Sequence, residues 1–238
     1  MRKNILIIFA LFTTCSYVTF QDNSLTDYEI ADGWQLLFNG ENLDGWTSVG
    51  KNNPPVMGWE IKNGVLTVKK VDDKRGGDII TRDQYSDFDL KVEFKITKGA
   101  NSGIKYLFRR YTKGGWLGPE FQILDDENHP DAKLGRDGNR LQAGLYDMFP
   151  PTKEKKDSPV GEWNEARIVV LGSKVKHYLN GEEVLSYDRY NKEYLDTYNL
   201  SKYKESDPIF GLVDEGHILL QDHGDIVSFK NIKIKILD

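Results

Sequence analysis

The chain has 238 residues, a formal charge of −5, 12% aromatic residues and one cysteine. An acidic chain without a basic block is poorly suited to nucleic acid, and a lone cysteine excludes a disulfide framework within the chain. Neutral partners such as sugars fit this balance better, and the length suffices for one sizeable domain.

The chain opens MRKNILIIFALFTTCSYVTFQDNS. Arg2 and Lys3 precede an apolar run from Ile5 to Phe12 that is too short to span a bilayer and has the layout of a secretory signal. A signal peptide is therefore expected over residues 1–20, and removal of Arg2 and Lys3 takes the formal charge from −5 to −7. "LFTTC" loosely resembles a bacterial lipobox, which would leave a lipid anchor on Cys15 as the membrane attachment. An ordinary signal cleaved a few residues later would discard that thiol. Either route exports the protein, to the periplasm or as a lipoprotein anchored at the outer membrane. Residues 21–32, QDNSLTDYEIAD, read as a polar, mobile leader to a single domain over 33–238.

Within that domain period-2 patterns dominate. "WEIKNGVLTV" reads as a hairpin, with Asn63-Gly64 supplying the positive φ of a tight turn. "FDLKVEFKI" sets Phe88, Leu90, Val92, Phe94 and Ile96 on one face against alternating charges, as in a half-buried antiparallel strand. "NSGIKYLFRR", "GPEFQIL" and "EARIVVL" are further strands, and "VKHYLNGEEVLSY" repeats the hairpin device at Asn180-Gly181. "PPTKEKKDSP" is a charged loop, and the tyrosine-rich "KEYLDTYNLSKYKESDP" holds a short helix. "GHILLQ" and "VSFKNIKIKIL" close the series. Many short strands with turn signals between them, and no long strand–helix alternation, predict an all-β jelly-roll sandwich of antiparallel sheets.

Several familiar chemistries are missing. There is no Gly-rich phosphate loop, no Cys/His zinc pattern and no G-x-S-x-G elbow. Jelly-roll glucanases often carry nucleophile and acid as E-x-D-x-x-E; here Glu120, Asp125 and Glu127 stand at other spacings. A retaining mechanism with both carboxylates on one strand is therefore not supported.

What remains clusters at strand ends. Glu120 and Gln122 share a face, a pair suited to gripping vicinal hydroxyls. They are expected on the concave side with Lys105 and Arg109, while Ile104, Tyr106, Phe108 and Phe121 pack between the sheets. Asn101 stands at a strand entry, Asp125 and His129 follow in "DDENHP", and Gln221 and His223 fall in "LQDHGD". Each has a bland alternative as a turn or surface residue. His177, in phase with Val175 and Leu179, is either a satisfied core histidine or a functional one. Trp116, in the glycine-rich "KGGWLGP", is the tryptophan best placed to stack on a sugar ring.

"GWQLLFNGENLDGW", "WEIKNGVLTV", "DIITRDQYSDFDLKVEFKITKGANSGIKY", "EFQILDDENHPDA", "GEWNEARIVVLGSKVKHYLNGEEV" and "GHILLQDHGDIVSFKNIKIKIL" together resemble the 3-keto-disaccharide hydrolase domain family, also described as 3-keto-glucoside-1,2-lyase / 3-keto-2-hydroxy-glucal hydratase. The resemblance runs from about Gly33 to Leu237. It implies a concanavalin A-like sandwich, common in exported proteins of glycan-degrading Bacteroidetes, and cleavage of 3-keto-glycosides by C2 proton abstraction, elimination and hydration. That chemistry needs a base near C2, a cation or donor at the enolate oxygen and an acid at the leaving group. Glu120 or His177 would be the base. Lys105, Arg109 or a divalent metal would stabilise the enolate. Asn101, Gln122, Asp125, His129, Tyr146, Gln221 and His223 would contact substrate. A non-catalytic carbohydrate-binding module of the same fold is the main alternative, and a conventional glycosidase a third reading. Convergence of "EFQILDD", His177 and "LQDHG" in one cleft would favour the enzyme.

Overall fold

The computed structural model describes residues 21–156 and 158–237; the expected signal peptide and Cys15 lie outside them. Among the described residues no helix is long and apolar enough to cross a membrane. The alternating segments form strands β1 (Trp34–Leu36), β2 (Trp46–Ser48), β3 (Trp59–Lys62), β4 (Val65–Val68), β5 (Ile79–Thr81), β6 (Phe88–Ile96) and β7 (Asn101–Tyr111). They continue as β8 (Gly115–Leu117), β9 (Glu120–Leu124), β10 (Asn164–Leu171), β11 (Lys174–Leu179), β12 (Glu182–Asp188), β13 (His217–Leu220) and β14 (Val227–Ile236). One sheet runs β12-β11-β10-β6-β14-β4-β3, with β1 also on β14; the other runs β2-β5-β13-β7-β8, with β9 also on β7. Every pairing between these strands is antiparallel. The fold is the jelly-roll sandwich that the alternation predicts.

The two predicted hairpins turn where Asn and Gly allow it: Asn63 and Gly64 have φ of 52° and 76°, Asn180 and Gly181 of 51° and 82°. The apolar face of β6 is buried completely, and Ile104, Tyr106, Phe121 and Ile123 of the six-stranded sheet meet it in one core. The tyrosine-rich segment contains helix α2 (Lys192–Leu200), capped by Asn191, whose side chain accepts from the Tyr194 N–H.

The leader departs from expectation. Residues Asp27–Ala31 form a short helix, α1, closed by a capping box between Thr26 and Glu29. Glu29 and Asp32 pair with Lys233 and Lys235, and Asn23 exchanges hydrogen bonds with Asn231. The leader is therefore docked along β14, held by polar contacts that a hydropathy reading does not register.

A second departure is local to β7. Lys105 pairs with Leu219 but Phe108 pairs with His217, one residue out of step. The extra residue is Leu107, at φ 48°, and Gly216 permits it: a Cβ there would fall 2.2 Å from the Leu107 carbonyl carbon. This β-bulge inverts the alternation beyond it. Leu107 joins the core, Phe108 turns outward onto Ile80 and Leu219, and Arg109 falls out of phase with Lys105 and is exposed. The expectations that Phe108 packs between the sheets and that Arg109 flanks Lys105 are both corrected by this one residue.

Candidate active site

The outer face of the six-stranded sheet carries a cleft of about 340 Å³, lined by Asn101, Lys105, Glu120, Gln122, His129, Asp131, Tyr146, Lys202, Gln221 and His223, with Pro130 and Leu134. Strand register explains the convergence. Between β7 and β9, Lys105 stands opposite Glu120 and Gly103 opposite Gln122. On the other side of β7 the Gln221 N–H donates to the Gly103 carbonyl at 3.0 Å. Gly103 thus leaves a gap between two glutamines, and the Glu120 carboxylate leans into it. A Cβ at residue 103 would lie 2.2 Å from Glu120 Oε1.

Glu120 is 4% exposed, and its Oε2 faces Lys105 Nζ at 3.5 Å. Gln122 is 1% exposed, and among the described residues neither its Oε1 nor its Nε2 has a hydrogen-bond partner; nor does Gln221 Oε1. Buried amides are rarely left this way, because each unmade bond costs about 1–3 kcal/mol. Side chains in that state beside an acid and a lysine are arranged for a polar ligand. Asp78, just before β5, sits close enough that Lys105 and Glu120 both act on it. Burial pushes its carboxyl above the ordinary value, and Lys105 opposes that shift.

The rim is held by loops. Asp222 accepts from the Gly77 and Gly224 N–H groups at 2.9 and 3.0 Å, fixing the segment that presents His223. Arg140 joins Asp131 at 2.9 Å to Asp147 at 3.0 Å, under the Tyr146 ring. Burial, and next the Asp131 carboxylate, raise the Tyr146 phenol above its ordinary value. Lys202 Nζ lies 4.2 Å from the centre of the same ring.

His129, His223 and Asp225 bring ligand atoms within 4.8 Å of one another. Two imidazoles and a carboxylate are a donor set that a divalent ion accepts. His129 Nδ1 already accepts from the Asp131 N–H at 3.1 Å, so the neutral ring carries its proton on Nε2 and a metal there would have to displace it.

Asn101, Lys105, Glu120, Gln122, His129, Tyr146, Gln221 and His223 therefore share the cleft. Arg109 does not, for the reason given above. Asp125 does not either: its carboxylate accepts from the N–H groups of Gly99, Glu127 and Asn128 and from the Asn128 amide. Burial works against the charge, but those donors, Gly99 foremost, hold the Asp125 carboxyl below its ordinary value. It braces the turn after β9. A larger hollow, of about 550 Å³, lies beside that turn, but its Asp125 and Asp126 carboxylates are committed to loop contacts. His177 is corrected most sharply. It is 0% exposed, inside the sandwich, with Nδ1 donating to the Ala143 carbonyl at 2.9 Å and Nε2 accepting from the Tyr106 hydroxyl at 2.8 Å.

Gly103, Asp131 and Lys202 were not identified from sequence. An isolated glycine within a strand pattern does signal a close approach, so Gly103 was legible; nothing periodic marks Lys202. Gly103→Ala is expected to push the Glu120 carboxylate aside and lower kcat by about tenfold or more, with a melting temperature close to wild type. Unchanged kcat would show that the carboxylate position does not matter.

Known proteins resemble this chain over most of its length. A curated protein of Bacteroides thetaiotaomicron, 3-keto-disaccharide hydrolase, is 39% identical over 233 residues, covering 87% of this chain and 80% of that one. A solved candidate glycosyl hydrolase of Parabacteroides distasonis superposes with a TM-score of 0.79 at 33% identity, covering 92% of this chain and 100% of that one. A second from the same organism gives 0.65 at 28% identity, covering 86% and 99%. Residues 33–235 match the model of the 3-keto-alpha-glucoside-1,2-lyase-like domain, and the chain belongs to that carbohydrate-hydrolase family.

Proposed function

We propose that the cleft cleaves 3-keto-glycosides by elimination and hydration. The observation that carries this reading is the buried Glu120 carboxylate, leaning over Gly103 between Lys105 and the unpartnered Gln122. A ketone at C3 acidifies the C2 proton. Glu120 takes that proton, and the negative charge that develops on the C3 oxygen is met by the Lys105 ammonium. The electron pair then forms the C1–C2 double bond as the C1–oxygen bond breaks, and the leaving alkoxide takes a proton. Water adds at C1 and a proton returns to C2, so the net change is hydrolysis. Gln122, Gln221 and Asn101 position the ring hydroxyls. The export signal belongs to the same proposal, since such substrates are met outside the cytoplasm by a glycan-degrading cell.

Paired substrates test the chemistry. The enzyme is expected to release aglycone from a 3-keto-glucoside and to leave the unoxidised glucoside intact. In heavy water the product should carry deuterium at C2. Equal rates on both substrates without label would mean an ordinary glycosidase, and binding without turnover would mean a carbohydrate-binding module.

A further inference from the structure

The outer face of the six-stranded sheet does not end at the cleft. One row further toward β5 it becomes apolar: Phe108, Leu219 and Ile80 form a cluster separate from the core, with Val49 and Trp116 packed on it. Lys105 Nζ lies 6.0 Å from the centre of the Phe108 ring, and Trp116 stacks on that ring at 5.6 Å with the planes 19° apart. The cluster thus starts at the wall of the cleft and ends at Trp116.

Beyond it lies a second hollow, of about 320 Å³, with Trp116, Ile80, Thr47, Asn52 and His217 among its walls. Thr47 is 6% exposed and brings its hydroxyl from β2. The His217 Nδ1–H donates to the Thr81 carbonyl at 2.7 Å, which fixes the tautomer and leaves Nε2 an acceptor on the neutral ring. One indole beside hydrogen-bonding side chains, with Lys51 and with Arg82 held by the Asp44 and Asn52 carbonyls on the same walls, is the chemistry of a pyranose site: the flat C–H face meets the aromatic ring and the hydroxyls meet the polar groups. An aryl group would leave those polar groups unpaired, which a site of this kind discriminates against.

We propose that this hollow is the leaving-group subsite, holding the second sugar of a 3-keto-disaccharide whose oxidised ring lies over Glu120. The proposal rests on the elimination reading of the cleft. The bulge at Leu107 sets the Phe108 ring, buried at 3% exposure, between the two hollows, with the Lys105 ammonium 6.0 Å to one side of it and the Trp116 ring 5.6 Å to the other, a separation on the scale of a disaccharide.

The test compares methyl 3-keto-α-glucoside with a 3-keto-glucosyl disaccharide, whose leaving alcohols differ in size far more than in basicity. Trp116→Ala is expected to raise KM for the disaccharide about tenfold or more, while KM and kcat for the methyl compound stay within about twofold. Thr47→Val, close in shape and lacking the hydroxyl, should move the disaccharide KM in the same direction and serves if Trp116→Ala folds poorly. Equal losses on both substrates, or no loss on the disaccharide, would overturn the subsite. If the wild type turned over neither compound, the elimination reading itself would fail. The subsite would then be judged by titration calorimetry: the intact 3-keto-disaccharide must bind wild type more tightly than Trp116→Ala, and equal binding overturns it.

Discussion

Glu120→Gln is expected to turn over a 3-keto-glucoside slower by a factor on the order of 100 or more, with the fold intact. The substitution keeps the shape of the side chain over Gly103 and removes only its basicity and charge. The residue left behind, Lys105, has a side chain 19% exposed and can draw on water for its lost partner, so the cost to stability is modest. A surface glutamate would give a change of less than about 0.5 kcal/mol and no change in rate, but Glu120, at 4% exposure, is not a surface residue. The same variant should fail to exchange the C2 hydrogen of a 3-keto-glucoside with heavy water, because that exchange needs the base even when no bond to the leaving group breaks. Exchange at the wild-type rate would place the base elsewhere in the cleft; near-normal turnover would remove Glu120 from the chemistry altogether.

The fold was legible because it rests on alternation and on turn chemistry, both local. Phe88 to Ile96 alternate without interruption, and the two Asn-Gly pairs fix their hairpins. The site was legible where it follows the same alternation. Glu120, Gln122 and Lys105 share a face because nothing interrupts β9 or the first half of β7. Arg109 and Phe108 were misread because a bulge at Leu107 changes the parity, and the cause lies in Gly216, over a hundred residues away, where a missing Cβ makes room. Asp125 was misread for another reason. An acid after a strand looks the same in sequence whether its oxygens face a ligand or the backbone of its own turn, and here Gly99, Glu127 and Asn128 use them. The contacts that converge on the cleft after β13 and from the 129–131 turn are long-range: the sequence grouped His129, Gln221 and His223 only as polar residues at strand ends, and the family resemblance gave them a common role.

His177→Ala is expected to lower the melting temperature by about 10 °C while turnover, measured where the variant is folded, stays within an order of magnitude of wild type. The ring sits at the end of a buried chain. With Nδ1 donating to Ala143, Nε2 accepts from Tyr106, whose oxygen then accepts from the Tyr187 hydroxyl at 2.7 Å. Removing the ring opens a cavity and leaves the Tyr106 hydroxyl and the Ala143 carbonyl unpaired, a combined cost of about 3 kcal/mol or more, and each kcal/mol is worth about 2–4 °C in a domain of this size. Ala143 also pairs with Gln122 along the outer edge of β9, so part of the loss is support for the strand that carries Glu120. Acid separates this structural role from a catalytic one. Burial, partly offset by the hydrogen bond to Ala143, lowers the imidazole from 6.5 to about 4. The unfolded chain therefore takes up the proton first as the pH falls, and stability from neutral His177 is fully present above about 6.5, declines between about 6.5 and 4, and is constant below. Those 2.5 units correspond to about 3 kcal/mol. The stability gap between wild type and His177→Ala, measured by urea unfolding, should accordingly narrow by about that amount from pH 7 to pH 4. Parallel stability curves over that range, or a collapse of turnover in a variant with an unchanged melting temperature, would return His177 to the chemistry and take it out of the core.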